Sequence, residues 1–220
     1  MNASKIILVV SIFLVFAITS HSQQRPPEIV PQLGEPTGAG VVTYIENLTP
    51  EQHKFYWKGT VKKEEYFLVD VPTDYISTVT VDMALINSRH NKPSSLVAKH
   101  LTKTHLGLKF LGRFNESPNR VNDFYEGIDS RKMMLITWRF AADGGGMRMP
   151  ADFVNSRVNK NKATLSLGKA VNLNKVMWVL GWNNGSISYE LFMEDELGAD
   201  GEPLKKPKSI IALAESLTTN

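Results

Sequence analysis

NKVMWVLGWNNGSISYELFM, residues 174–193, is the stretch whose reading decides the fold. Two apolar-rich runs flank Asn184-Gly185. That dipeptide is a favoured centre for a two-residue hairpin turn, in which both central residues take positive φ. Placed at the tip, it sets Trp182 opposite Ile187, Leu180 opposite Tyr189, Trp178 opposite Leu191 and Val176 opposite Met193. Each of these pairs is apolar. The alternate pairs, Gly181–Ser188 and Val179–Glu190, fall on the other face. A slip of one residue would destroy the match, so turn chemistry and side-chain pattern specify one register. The expectation is a β-hairpin with one buried, aromatic face.

Working outward, further β signals appear. Residues 75–86 place Val79, Val81, Met83 and Leu85 in alternation with Thr78, Thr80, Asp82 and Ala84, the period of a strand with one buried face. Residues 132–141 are apolar on both faces, as in a strand covered on both sides. Shorter strands are expected at 41–45, 66–71, 106–111 and 163–167. Thr49-Pro50-Glu51-Gln52 is a helix start with a capping box, and Gly59 a stop, so residues 50–58 are expected to be helical. Ser95 caps a second expected helix, 96–105. Residues 115–131 read as loop, residues 151–158 suit either helix or strand, and residues 209–217 form a short terminal element of either kind. Together these predict a mainly β chain: an antiparallel β-sandwich or related barrel with short helical inserts, with α+β as the alternative.

The N-terminus carries a separate message. Lys5 precedes an apolar run, residues 6–18, and small residues Ser20 and Ser22 follow. This is the layout of a cleavable signal peptide over residues 1–22, cut after Ser22, and the run is short of the roughly 20 residues of a membrane span. Residues 23–40 hold four prolines and three glycines and read as an extended leader. The β-rich domain is expected over 41–195, with a loop and the terminal element over 196–220. The chain has no cysteine, so no disulfide can support it and no cysteine nucleophile exists. Export predicts a secreted or periplasmic protein.

Charge is nearly balanced but unevenly placed. Without the signal, 24 basic residues face 22 acidic ones. From Met83 to Asn115 there is no acid, while Arg89, Lys92, Lys99, Lys103, Lys109 and Arg113 lie there with His90, His100 and His105. From Val176 to Leu204 there is no Lys or Arg, and Glu190, Glu194, Asp195, Glu196, Asp200 and Glu202 dominate. The six cations are candidate contacts for an anionic partner, with salt-sensitive binding expected. The competing reading is a solvated face, or one that meets the acidic stretch within the molecule.

Motifs for catalysis are absent from the sequence. There is no GxSxG, no HExxH, no P-loop and no dinucleotide fingerprint around Gly144-Gly145-Gly146. His100 and His105 are five apart, which puts them on different faces of a helix. The acidic loop 194–200 lacks the oxygen spacing of an EF-hand. No cofactor and no metal is expected. Paired carboxylates of a glycan hydrolase would be drawn from Glu126, Asp129 and Asp143. Met147 and Met149, beyond the glycine run, are candidates for a partner or membrane contact. The leading functional expectation is an exported, non-enzymatic binding or structural domain that contacts a protein or an acidic polysaccharide through residues 89–113. The alternatives are a secreted glycan hydrolase and a membrane-active or envelope-associated protein; nucleic acid is not an expected partner.

Overall fold

The computed structural model describes residues 33, 38–71, 107–170 and 174–218. The expected signal peptide, most of the expected leader, the strand expected at 75–86 and the helix expected at 96–105 lie outside the described residues.

The decisive hairpin forms from β10 (Lys175–Asn184) and β11 (Ile187–Glu196). Its register differs from the sequence reading by two residues. Trp182 pairs with Tyr189, Leu180 with Leu191, Trp178 with Met193 and Val176 with Asp195. The cause lies at the tip. The two turn residues are Gly185 and Ser186, and only Gly185 has positive φ, at 60°. This is a Gly-first turn rather than one centred on Asn-Gly, and both kinds suit the strand twist. A shift of two preserves side-chain parity, so the residues expected inside stay inside. Trp178, Leu180 and Leu191 are fully buried and Trp182 nearly so.

Neighbouring strands extend this hairpin on both sides. On one flank are β9 (Asn161–Ala170), β3 (Phe67–Val71) and β2 (Thr60–Lys62), with the short β8 (Ser156–Val158) also on β9. On the other are β6 (Lys132–Trp138), β5 (Arg120–Glu126) and β4 (Lys109–Ser117). The order is β2-β3-β9-β10-β11-β6-β5-β4; it is antiparallel throughout except where β3 runs parallel to β9. Its ends do not meet, so the sheet is open rather than a barrel. A separate two-stranded parallel sheet joins β1 (Val42–Ile45) to β7 (Met147–Pro150). The chain is mainly β, as its sequence pattern requires.

Two corrections concern strands outside the hairpin. Residues 115–131, expected to be loop, mostly form the β4–β5 hairpin. Its polar residues hid it, because Arg113 sits directly opposite Asp123 and the two satisfy each other inside the sheet. Strand β9 also runs well beyond the expected 163–167. It leaves β8 through Asn159 and Lys160, both at positive φ, a turn that a run of Asn and Lys did not announce.

Leucines align in a row across one face. Leu165, Leu180, Leu191 and Leu135 are successive partners, and the row continues to Asp123 and Arg113. The C-terminal helix α2 (Pro207–Thr218) lies on this face, contributing Ile210 and Ala214 to the same cluster as Leu165, Trp178 and Leu180. Helix was one of the two readings for this terminal element. The opposite face is buried too: Met177, Val179, Phe192, Phe124, Met134 and Ile136 form a second cluster, so β6 is covered on both sides as its pattern predicted. Near β3, α1 (Pro50–Tyr56) buries Tyr56 with Phe67, Phe153 and Leu33. Both hydrogen bonds of its predicted capping box are present, Gln52 N donating to Thr49 Oγ1 at 3.2 Å and Thr49 N to Gln52 Oε1 at 2.8 Å.

Candidate functional site

Of the six cations singled out in the sequence, Arg89, Lys92, Lys99 and Lys103 lie outside the described residues. Lys109 opens β4 and is exposed, and the neighbouring Phe110 is half exposed. Arg113 is different, and its place among solvent-facing contacts needs correction. Only 7% of it is exposed, because it lies on the leucine-row face of the sheet. Its Nε and Nη2 donate to the two Asp123 carboxylate oxygens at 2.5 and 2.7 Å. Such a two-pronged contact matches the planar guanidinium fork to the carboxylate. Burial raises the Asp123 pKa, and the guanidinium opposes this only in part. Two positions along β5, Tyr125 is pushed up by burial and by the Asp123 charge, which the guanidinium partly offsets.

The three carboxylates a hydrolase would draw on are each engaged elsewhere. Glu126 pairs with Lys132 across the β5–β6 turn. Asp129 binds Arg131 and, at 3.0 Å, Lys205. Burial works against the Asp129 charge, but hydrogen bonds from Lys205 and Arg131 outweigh it and hold the pKa at about 2. Asp143 accepts from the Trp138 indole and from Asn119 Nδ2, both at 2.6 Å. The glycine run therefore serves a folded turn. Beyond it, Met147 is buried with Trp138 and Phe140, which removes it as a surface contact.

The acidic stretch is tied into the fold through Asp195. Its Oδ2 accepts from the Trp178 indole at 3.1 Å and from the backbone N–H of Lys205 at 2.8 Å. Arg131 Nη2 stands 3.2 Å from its Oδ1. No sequence motif announces this network, since its members come from three separate segments; the one legible hint was an Asp at the end of an apolar strand. Among the described residues, no three His, Cys, Asp or Glu side chains converge on a metal position. The expected histidines, His90, His100 and His105, lie outside the described residues. His53 stacks against Trp57, which also stacks on Phe153. Trp138, Trp178 and Trp182 are buried, so their faces are used for packing.

A surface notch of about 240 Å³ lies beside this network. Buried Pro203 and Pro207 and half-buried Tyr66 form its floor, with Glu64, Glu65 and Glu202 against Lys63 and Lys206 at its rim. The Tyr66 hydroxyl donates to Glu202 Oε2 at 3.2 Å. Its rim charges are of both signs and exposed. Among the described residues, no helix is long and apolar enough to cross a membrane. No family model, curated protein or solved structure matches this chain.

Proposed function

We propose that this chain is an exported, non-enzymatic binding domain, carried out of the cytoplasm by residues 1–22, cut after Ser22. Its partner would be an acidic polysaccharide or a protein with an acidic surface, contacted through the basic segment that ends at Lys109. The observation that carries this reading is the described end of that segment. Lys109 stands exposed at the start of an outermost strand, the one described cation of the acid-free segment that is free of a buried pair, with half-exposed Phe110 following it on the other face of the sheet. A run of cations without acids attracts anionic partners through charge. The hydrolase alternative loses support because Glu126 and Asp129 are held by cations and Asp143 accepts two hydrogen bonds.

Retention of residues 23–220 on an immobilised sulfated polysaccharide tests the proposal. Binding at low salt and elution as salt rises is expected, with the joint exchange of Lys99, Lys103 and Lys109 for Glu abolishing retention. Arg113→Met combined with Asp123→Leu should leave retention unchanged, because that guanidinium is committed to Asp123. Flow-through at low ionic strength, on both the polysaccharide and an acidic protein surface, ends the binding reading. Release of reducing ends from glycan substrates would put the hydrolase in its place.

A further inference from the structure

We propose that Asn184 is a site of spontaneous deamidation in the folded protein, converting a neutral hairpin tip to an anionic one. Residues 184–186 are all exposed. Among the described residues the Asn184 side chain has no hydrogen-bond partner, and the Gly185 amide nitrogen has none either. Gly185 has φ of 60°, and an added Cβ there would meet nothing within 4 Å. Access to its nitrogen is therefore open on the very residue type that lacks a crowding side chain.

The chemistry needs only water. The Gly185 amide nitrogen loses its proton and attacks Cγ of Asn184. A C–N bond forms and closes a five-membered succinimide, while the Cγ–Nδ2 bond breaks and the side-chain nitrogen leaves as ammonia. Water then adds to one of the two ring carbonyls. Opening on one side gives aspartate; opening on the other gives isoaspartate, with the main chain rerouted through the former side chain. Either product adds a carboxylate, and the second also adds a carbon to the turn that sets the β10–β11 register.

Strand pairing works against ring closure, because Asn184 is held opposite Ile187. That pair is the last of the ladder, so only the tip must open, and terminal pairs open at far less cost than the sheet as a whole. Asn159 provides an internal comparison. It too is exposed in a turn, but Lys160 follows it, Glu215 accepts from its backbone N–H and its amide donates to Thr218.

The test is peptide mapping of residues 23–220 kept folded in mildly alkaline buffer, with tryptophan fluorescence confirming that the core persists. Loss of the Asn184 amide several-fold ahead of Asn159, with isoaspartate exceeding aspartate among the products, is expected. Gly185→Ala should slow the conversion; because that change strains the tip, Asn184→Gln is the second variant and should remove the modified peptide with the fold intact. Conversion of Asn184 no faster than Asn159, or only after unfolding in urea, overturns the proposal.

Discussion

Trp178 holds three kinds of contact at once. Its ring is fully buried, Tyr66 meets it edge-on at 5.2 Å, and its indole N–H donates to Asp195. Trp178→Ala should lower the unfolding free energy by about 3–5 kcal/mol in urea titrations, the usual loss for a large buried aromatic; a loss below about 1 kcal/mol would mean the ring does not pack as described. The Arg113–Asp123 pair makes a different point. Removing one partner leaves an uncompensated buried charge, so Asp123→Ala should cost about 3–5 kcal/mol, whereas replacing both by apolar side chains of similar volume should come out near neutral. A thermodynamic cycle over the two sites separates these outcomes. Residues like Trp178 were legible in the sequence, because an apolar pattern of period two marks its own inward face. Arg113 and Asp123 were not. Each reads as a surface residue alone, and only their direct opposition across two strands lets them sit inside.

Elements differ in how much of their geometry is local. Helix α1 is local: its start was readable because the capping box lies within four consecutive residues. Thr49→Ala should destabilise the protein by about 1 kcal/mol, seen as a lower urea midpoint without a change in slope. The β10–β11 hairpin is half local. Parity came from the strands, but the exact partners depend on which two residues bend, and Asn-Gly and Gly-Ser are both competent turn centres. The connection before α2 is not local at all. It is held by Lys205 and Arg131 on Asp129 and by the Lys205 backbone on Asp195. The folded pKa of Asp129, about 2, lies below its ordinary value of 3.8. Its contribution is thus fully present above the ordinary value and fades as pH falls toward 2. Asp123, with its pKa raised by burial, acts in the opposite sense: its contribution is present below the ordinary value and is lost as pH rises through the folded one. Unfolding of Asp129→Asn followed between pH 2 and 6 should show a stability deficit against the parent above pH 4 that closes near pH 2; a constant gap would assign the loss to something other than the charge.

At the scale of the molecule, the sequence specified a mainly β chain but not the order of its strands. Strand order rests on which distant segments meet, and neither periodicity nor turn chemistry encodes that. The placement of β3 is the clearest case. It lies parallel to β9, with Phe67 opposite Ser166, so its partner is nearly a hundred residues further along. Pairings of such long range are slow to form, since the loop must close before any contact rewards it. A chain emerging N-terminus first would leave the β2–β3 pair, residues 60–71, without its sheet until Asn161–Ala170 arrived. Fragments ending before Asn161 keep only the local β2–β3 pairing, so the Phe67–Val71 amides should be far less protected in hydrogen exchange than in the complete chain. The consequence is an order of assembly: the early strand waits as a loose flap, and the latch closes only when the late one reaches it.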